Sequence, residues 1–149
     1  MILPTLINTA DTANFSLLWR TATTVAVIGL SPKPERPSYR VAHYLLDQGF
    51  RVIPVNPGQA EILGQTCYPS LTAAYAATGW PIDIVDIFRK SKDVPPIVAE
   101  AVGIGAKTIW MQEGVVNEEA AALAESHGLT VVMDRCLMVE HRRGAQGLT

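Results

Sequence analysis

The sequence predicts an α/β fold with three layers: a mostly parallel sheet of about five or six strands and helices on both faces. Two observations lead to this prediction. Short apolar runs alternate along the chain with segments whose apolar residues have helical spacing, as in successive β-α-β units. The runs are also nearly unbroken, which is typical of strands buried on both faces of a parallel sheet. Right-handed crossovers would then place helices on both sides.

The individual elements follow from apolar period and helix-capping residues. The first helix is expected at 11–21, where Asp11 can cap the start and Phe15, Leu18 and Trp19 share one face. Strands are expected at residues 24–30, 51–56, 82–88, 107–111 and 129–133. Further helices are expected at residues 38–48, 71–77, 93–104 and 118–127. Residues 57–69 are predicted to form a short edge strand or only a loop.

Composition limits the classes of protein. The chain has 149 residues, 48% hydrophobic and 17% charged, which is the composition of an ordered chain. We expect one domain over 1–149, with a helical lead-in at 1–22 and a tail at 135–149 that wraps the surface. A net charge of −2 provides no general attraction to nucleic acid or membrane, so neither partner is expected. No signal-peptide pattern or membrane-length apolar run is present, which favours the cytoplasm.

Residues 24–39 contain the strongest functional pattern. An apolar run ends at Gly29, a short polar loop follows, and helical spacing begins at Tyr39. The loop carries groups that bind anions: Ser31, Lys33, Arg36 and Ser38. Free N–H groups and the positive end of the helix would point into the same crevice. The pattern predicts a phosphate-binding loop; the alternative is a solvated basic turn without a ligand.

Two common nucleotide motifs are incomplete in this chain. The dinucleotide fingerprint G-x-G-x-x-G needs a second glycine where Ser31 stands, and Asn56 replaces the acidic residue expected at the end of the second strand. The pattern G-x-x-x-x-G-K-[ST] of phosphate-loop NTPases is absent. A sensor for an NAD(H)-type nucleotide therefore remains only the weaker alternative.

Six blocks of sequence carry a family resemblance. In chain order they are VAVIGLSPKPERPSYRVAHYL, VIPVNP, ILGQTCYPSL, DIVDIFRKSKDVPPIV, IWMQEGVVNEEAA and VVMDRCLMVEH. On these blocks the chain resembles the small stand-alone CoA-binding proteins with a Rossmann-type fold. It is more distantly similar to the CoA-binding domain of the succinyl-CoA synthetase α subunit and of NDP-forming acyl-CoA synthetases. The resemblance implies coenzyme A, or an acyl-CoA, as the ligand.

The resemblance also implies where the ligand lies. The phosphates would be held by Gly29, Ser31, Lys33, Arg36 and the N–H groups near Ser38 and Tyr39. The rest of the site would be formed by Asn56 and Pro57 beside the nucleotide, by Phe88, Arg89, Lys92 and Val94 beside the adenine or the ribose 3′-phosphate, and by Gln112, Glu113 and Gly114 along the wall. The synthetases differ in having a glycine- and threonine-rich loop and a lysine after the second strand. The phosphate contacts of this chain are therefore assigned to Lys33 and Arg36.

The sequence favours a protein that binds without catalysing a reaction of its own. None of its three histidines, His43, His127 and His141, stands in a recognisable catalytic motif. The alternative is one subunit of a split NDP-forming acyl-CoA ligase or transferase, which would need a protein partner; a homo-oligomer is also open. Cys136, beside Arg135, is the candidate for contacting the CoA thiol, and its alternative is a small buried residue at a strand end.

Overall fold

The computed structural model describes residues 15–147, with side chains described for residues 15–144. The strands are β1 (Thr24–Ile28), β2 (Arg51–Val55), β3 (Glu61–Ile62), β4 (Gln65–Thr66), β5 (Ile84–Ile87), β6 (Thr108–Met111) and β7 (Thr130–Val132). The helices are α1 (Ser16–Thr21), α2 (Pro37–Asp47), α3 (Leu71–Thr78), α4 (Val94–Gly103), α5 (Glu118–Ser126) and α6 (Leu137–Gly147). A 3-10 turn, Ser91–Asp93, leads into α4.

Five strands form one parallel sheet in the order β2-β1-β5-β6-β7. This arrangement confirms the predicted α/β, Rossmann-like fold. From β1 the chain moves outward to β2, then returns to pair β5 with the other side of β1. The order of the strands therefore reverses between β1 and β5, and the carboxyl ends of these two strands flank the crevice where such sheets bind ligands.

Apolar residues cover both faces of the sheet. Helices α3, α4 and α5 pack on the face that carries Ala26, Val85 and Ile109. Helices α1, α2 and α6 pack on the face that carries Val27 and Trp110. All five residues of β1 are buried, as the unbroken apolar run predicts. Trp110 lies in the core, where its indole N–H donates to the Arg135 carbonyl at 2.9 Å.

The prediction of a surface tail was wrong over Leu137–Gly147, which form helix α6. Leu137, Glu140 and His141 are all buried and have the i, i+3, i+4 spacing of one helical face. Two of the three are polar, so the apolar pattern of a buried helix was absent. The ring of His141 packs against Trp19 and hydrogen-bonds Tyr44, with 2.7 Å between Nδ1 and the hydroxyl.

Two other expectations concern less regular segments. Residues 57–69, left open as edge strand or loop, contain the β3–β4 hairpin and an isolated bridge from Tyr68 to Val55. The first helix begins at Ser16 within the described residues, and Asp11, its expected cap, lies outside them. No helix in residues 15–147 combines the length and the apolar character needed to cross a membrane.

Asp83 precedes β5 and links the amino ends of β1 and β6, at the edge of the sheet opposite the crevice. Its carboxylate accepts hydrogen bonds from the N–H groups of Thr23 at 2.8 Å and Thr24 at 3.0 Å, and Lys107 lies 3.3 Å away. Burial alone would raise the pKa of Asp83, but these hydrogen bonds outweigh it and the pKa is lowered. The resulting stabilisation is present above the pKa of the unfolded chain and is lost as the pH falls through the folded pKa.

We therefore expect Asp83→Asn to lower the free energy of unfolding by about 2–3 kcal/mol at pH 7. The difference between variant and wild type should shrink below about pH 4, where the wild-type carboxylate is protonated in the unfolded chain. Urea unfolding at pH 7 and pH 3 measures both effects. Asp47→Asn, at an exposed pair with His43, is the control and should change stability by less than about 1 kcal/mol. Equal losses in the two variants would contradict this role for Asp83.

Candidate functional site

A cavity of about 560 Å³ lies where the carboxyl ends of β1, β5 and β6 meet the start of α2. This volume is in the range of small-molecule sites, roughly 300–1,000 Å³. Its lining residues are Gly29, Ser31, Arg36, Pro37, Ser38, Phe88, Arg89, Lys90, Asp93, Gln112, Glu113 and Val115. The cavity includes the crevice at the reversal of strand order, as expected for a parallel sheet of this kind.

The loop between β1 and α2 is held in place by short hydrogen bonds. The N–H of Gly29 donates to the Val55 carbonyl at 2.8 Å, and the N–H of Ser31 donates to Ser38 Oγ at 3.0 Å. Asn56 donates from its side-chain amide to the Leu30 carbonyl at 2.8 Å. Because these contacts fix the loop before any ligand arrives, little ordering entropy is lost on binding.

The N-terminus of α2 is well suited to an anion. Arg36 occupies the capping position, Pro37 begins the helix, and no side chain caps it by a hydrogen bond. The first turn contains no acidic residue. The positive end of the helix dipole is therefore not neutralised by its own side chains, and a phosphate at this end would be stabilised.

Positive side chains approach the cavity from two loops. Arg36 comes from the β1–α2 loop, and Arg89 and Lys90 come from the segment after β5. Among the ion pairs formed within residues 15–144, none joins these three cations to a carboxylate. Two acidic residues, Asp93 and Glu113, also line the cavity. The carboxylate of Asp93 is paired with the ammonium group of Lys92 at 3.3 Å, so its charge is partly neutralised. The cavity is thus locally basic although the whole chain has a net charge of −2.

The structure divides the predicted site residues into two groups. Those that line the cavity are Gly29, Ser31, Arg36, Ser38, Phe88, Arg89, Gln112 and Glu113. Those that do not are Lys33, Tyr39, Asn56, Pro57, Lys92, Val94 and Gly114. Of the second group, Val94 is buried in the core and Tyr39 lines a separate groove beside Arg40. Gly114 donates its N–H to Asp134 at 2.7 Å.

Sequence reasoning missed four lining residues: Pro37, Lys90, Asp93 and Val115. Each lies next to, or within two residues of, a predicted one. The signal that could have found them was their position after a strand, because four residues of the segment between β5 and α4 line the cavity: Phe88, Arg89, Lys90 and Asp93. Lys90 in particular follows Arg89 directly and brings a second positive charge to the same wall.

A second cavity, of about 570 Å³, adjoins the first and contains Cys136. It lies between the β6–α5 loop, the β7–α6 loop and the first turns of α6; its lining residues are Glu113, Val116, Met133, Asp134, Arg135, Cys136, Val139, Glu140 and Arg143. Cys136 and Cys67 are both buried and form no disulfide. The expected contact between Cys136 and the CoA thiol stays a prediction. Within the described part of the chain, no group of His, Cys, Asp and Glu could hold a metal ion.

Asp86 lies on β5, the central strand of the sheet. Its Cα partners are Val27 on β1 and Trp110 on β6, and it precedes Phe88 by two residues on the same face of its strand. The side chain is 0% exposed, and neither carboxyl oxygen has a hydrogen-bond partner among the described residues. Burial raises the pKa of Asp86 well above its usual value, so the folded protein favours the neutral acid.

Residues 23–142 match the family model of the CoA binding domain. The chain belongs to this family. A Bacillus subtilis protein named YneT, itself described as uncharacterized, is 41% identical over 117 residues, covering 78% of this chain and 84% of that protein. The CoA-binding domain thus spans nearly all of the described residues and includes every residue that lines the first cavity.

Two further similarities extend the comparison. An ADP-forming acetate–CoA ligase from Archaeoglobus fulgidus is 29% identical over 123 residues, which cover 76% of this chain but only 17% of that enzyme. The crystal structure of a hypothetical protein from Pyrococcus horikoshii OT3 is 37% identical with a TM-score of 0.86, covering 93% of this chain and 95% of that one. The chain therefore corresponds to a whole small protein in one case and to a minor part of a large ligase in the other.

Proposed function

We propose that this CoA-binding domain protein binds coenzyme A or an acyl-CoA in the first cavity, with phosphate groups at the N-terminus of α2. The observation that carries the proposal is the placement of Arg36 at the uncapped start of α2, in a cavity at the reversal of strand order. A phosphate there would receive charge-assisted hydrogen bonds from Arg36 and a favourable interaction with the helix dipole.

The distribution of positive charge fits coenzyme A better than a nucleotide with one phosphate group. Coenzyme A carries a diphosphate and, separately, a ribose 3′-phosphate. The cavity has Arg36 on one loop and Arg89 with Lys90 on another, so two anionic groups can each meet a cation. We assign the diphosphate to the α2 end and the 3′-phosphate to Arg89 and Lys90. Phe88 supplies an apolar surface between them.

Binding without chemistry is the simplest function for this cavity. Its lining includes neither histidine nor cysteine, and the hydroxyl oxygens of Ser31 and Ser38 both accept hydrogen bonds from backbone N–H groups. The second candidate is a subunit of a split NDP-forming acyl-CoA ligase. It is favoured by the similarity to the acetate–CoA ligase, in which the matched region is 17% of the enzyme and other parts must supply the remaining chemistry. Thioester formation only when a partner protein is added would support this candidate.

Calorimetric titration tests the ligand directly. We expect coenzyme A to bind more tightly than dephospho-CoA, which lacks the 3′-phosphate, and more tightly than ATP or NAD. Binding should weaken as salt is raised, because exposed charges are screened. Silence for all four compounds would contradict the proposal, and preference for NADH over coenzyme A would favour a nucleotide sensor instead.

Arg36→Ala should weaken coenzyme A binding by roughly tenfold to a hundredfold, the worth of one charge-assisted contact. Lys33→Ala is the matched control: it removes a positive charge three residues away in the same loop, but Lys33 does not line the cavity. Titration of both variants with coenzyme A measures the difference. A larger loss for Lys33→Ala than for Arg36→Ala would mean that the phosphate contacts lie outside the cavity, as the sequence alone had assigned them in part.

A further inference from the structure

Two segments that line the first cavity are joined to each other by Ser91. The segment between β5 and α4 contributes Arg89 and Lys90 to the lining, and the β6–α5 loop contributes Glu113 and Val115. Ser91 directly follows Lys90 and begins the 3-10 turn, but it does not itself line the cavity. Its contacts therefore act on the cavity through the two segments that it joins.

The hydroxyl of Ser91 contacts the β6–α5 loop twice. Ser91 Oγ accepts the N–H of Val116 at 2.9 Å and donates to the Gly114 carbonyl over a longer distance of 3.4 Å. The Ser91 carbonyl also accepts a hydrogen bond from the side-chain amide of Asn117 at 2.9 Å. Asn117 in turn caps α5, since its Oδ1 accepts the N–H of Ala120 at 2.9 Å. Ser91 is thus bonded to residues that lie 23 to 26 positions away in sequence.

These contacts fix the backbone on one side of Arg89 and Lys90. On the other side, the N–H of Phe88 donates to the Ile28 carbonyl at the end of β1, at 2.9 Å. The Lys90 carbonyl itself accepts the N–H of Asp93 at 2.8 Å. The two cationic side chains therefore start from a backbone that is held at both ends, and less conformational freedom is lost when they meet an anion.

The hydrogen bonds of the Ser91 hydroxyl lie in an exposed part of the structure. If the hydroxyl is removed, water can bond the N–H of Val116 and the Gly114 carbonyl in its place, so little global stability is lost. Water does not, however, hold the two segments at a fixed separation. The expected consequence of losing the hydroxyl is therefore a change in the geometry of the cavity rather than unfolding.

We infer that Ser91 is a positioning residue for coenzyme A: its hydroxyl holds the segment with Arg89 and Lys90 against the β6–α5 loop and so places these two cations for the ribose 3′-phosphate. This inference rests on the proposed function, in which Arg89 and Lys90 bind the 3′-phosphate, and adds the residue that sets the preference for that phosphate. Because Ser91 does not line the cavity, it acts through its neighbours and not by touching the ligand.

Ser91→Ala tests this role. The wild type and the variant are titrated calorimetrically with coenzyme A and with dephospho-CoA, which lacks the 3′-phosphate. We expect the Kd for coenzyme A to rise about fivefold to tenfold, the equivalent of roughly one hydrogen bond, and the Kd for dephospho-CoA to stay unchanged. The preference for coenzyme A should fall by the same factor, while the midpoint of urea unfolding stays close to that of the wild type.

Two further variants complete the test. Ser91→Thr keeps a hydroxyl at this position and should restore both the Kd for coenzyme A and the preference over dephospho-CoA. Ser126→Ala is the matched control, because the exposed Ser126 hydroxyl also donates to a backbone carbonyl, that of Leu123 at 2.7 Å, but Ser126 lines neither cavity. It should leave both affinities unchanged.

The titrations distinguish failure of this inference from failure of the proposed function. If the wild type binds neither compound, the proposed function fails and this inference falls with it. If the wild type binds coenzyme A but does not prefer it to dephospho-CoA, the inference alone is overturned. The same holds if Ser91→Ala keeps wild-type affinity for both compounds or loses equal affinity for both, because a merely structural role would have that effect.

Amide hydrogen exchange tests the contact itself without any ligand. The N–H of Val116 should be protected in the wild type, since it donates to Ser91 Oγ at 2.9 Å. Exchange at Val116 should become roughly fivefold to tenfold faster in Ser91→Ala and stay unchanged in Ser126→Ala. Equal exchange rates at Val116 in the wild type and in Ser91→Ala would overturn the inference.

Discussion

Gly29→Ala is expected to lower the free energy of unfolding by about 3 kcal/mol and to abolish measurable coenzyme A binding. Gly29 has a φ of +85°, which is unfavourable for any residue with a Cβ. A Cβ at this position would also lie 2.3 Å from the Phe88 carbonyl oxygen. That oxygen belongs to the backbone, so β1 and β5 would have to separate where they flank the cavity.

Gly49→Ala separates the two causes of this loss. Gly49 follows α2 with a φ of +93°, but a Cβ there would meet no atom within 4 Å. Its substitution should cost only the backbone strain, about 1 kcal/mol, and should leave coenzyme A binding intact. Urea unfolding and calorimetry of the two variants measure stability and affinity. Equal losses of stability would show that the close approach to Phe88 does not matter.

Gly29 shows which features of the fold could be predicted from the sequence and which could not. An unbroken apolar run followed by a glycine and a helix start predicted both the strand and the turn, because these depend on local spacing. The reason that only glycine fits was not visible, since the carbonyl of Phe88 is 59 residues away in sequence and reaches Gly29 only through the pairing of β1 with β5. The local pattern predicted the strand and the turn, whereas a tertiary contact determines that only glycine fits at position 29.

The same limit explains why some of the predicted site residues do not line the cavity. Position after a parallel strand correctly brought Gly29, Phe88 and Gln112 to one cavity, since the carboxyl ends of the strands share an edge. It could not tell Arg36, which lines the cavity, from Lys33, which does not, because the direction of each side chain depends on how the proline-rich loop turns. Asn56 was predicted beside the nucleotide, yet its side chain is used to hold the Leu30 carbonyl.

The spacing of apolar residues did not predict helix α6. Its buried face includes Glu140, whose Oε2 accepts a hydrogen bond from Arg135, and His141, whose Nδ1 lies 2.7 Å from the Tyr44 hydroxyl. Such partners allow polar residues to occupy a buried face. Because residues of this helix line the second cavity, missing the helix also meant missing that cavity.

Asp86 is the opposite case, a buried polar residue on a strand whose side chain has no hydrogen-bond partner within residues 15–144. The strand around it reads as apolar with two acidic positions, Asp83 and Asp86, which the sequence could not distinguish. In the structure Asp83 accepts several hydrogen bonds, whereas Asp86 has no hydrogen-bond partner within residues 15–144. The pKa of Asp83 is lowered and that of Asp86 is raised well above its usual value by burial.

The raised pKa of Asp86 makes stability fall as pH rises. Above the pKa of the unfolded chain, about 4, the unfolded carboxyl is ionised while the folded one keeps its proton. Unfolding then releases a proton, and the free energy of unfolding falls by up to about 1.4 kcal/mol for each pH unit until the folded pKa is reached. This slope has the opposite sign to that of Asp83, whose stabilisation is lost as the pH falls.

Asp86→Asn should remove the descending slope, because the amide has nearly the shape of the neutral acid and does not ionise. We expect the variant to match the wild type near pH 4 and to become progressively more stable than the wild type as the pH rises above 4, until the folded pKa of Asp86 is reached. Urea unfolding at each pH measures the difference, and Asp83→Asn provides the comparison, since it should be less stable than wild type over the same range. Parallel pH profiles for wild type and Asp86→Asn would mean that Asp86 is hydrated or paired in the folded protein.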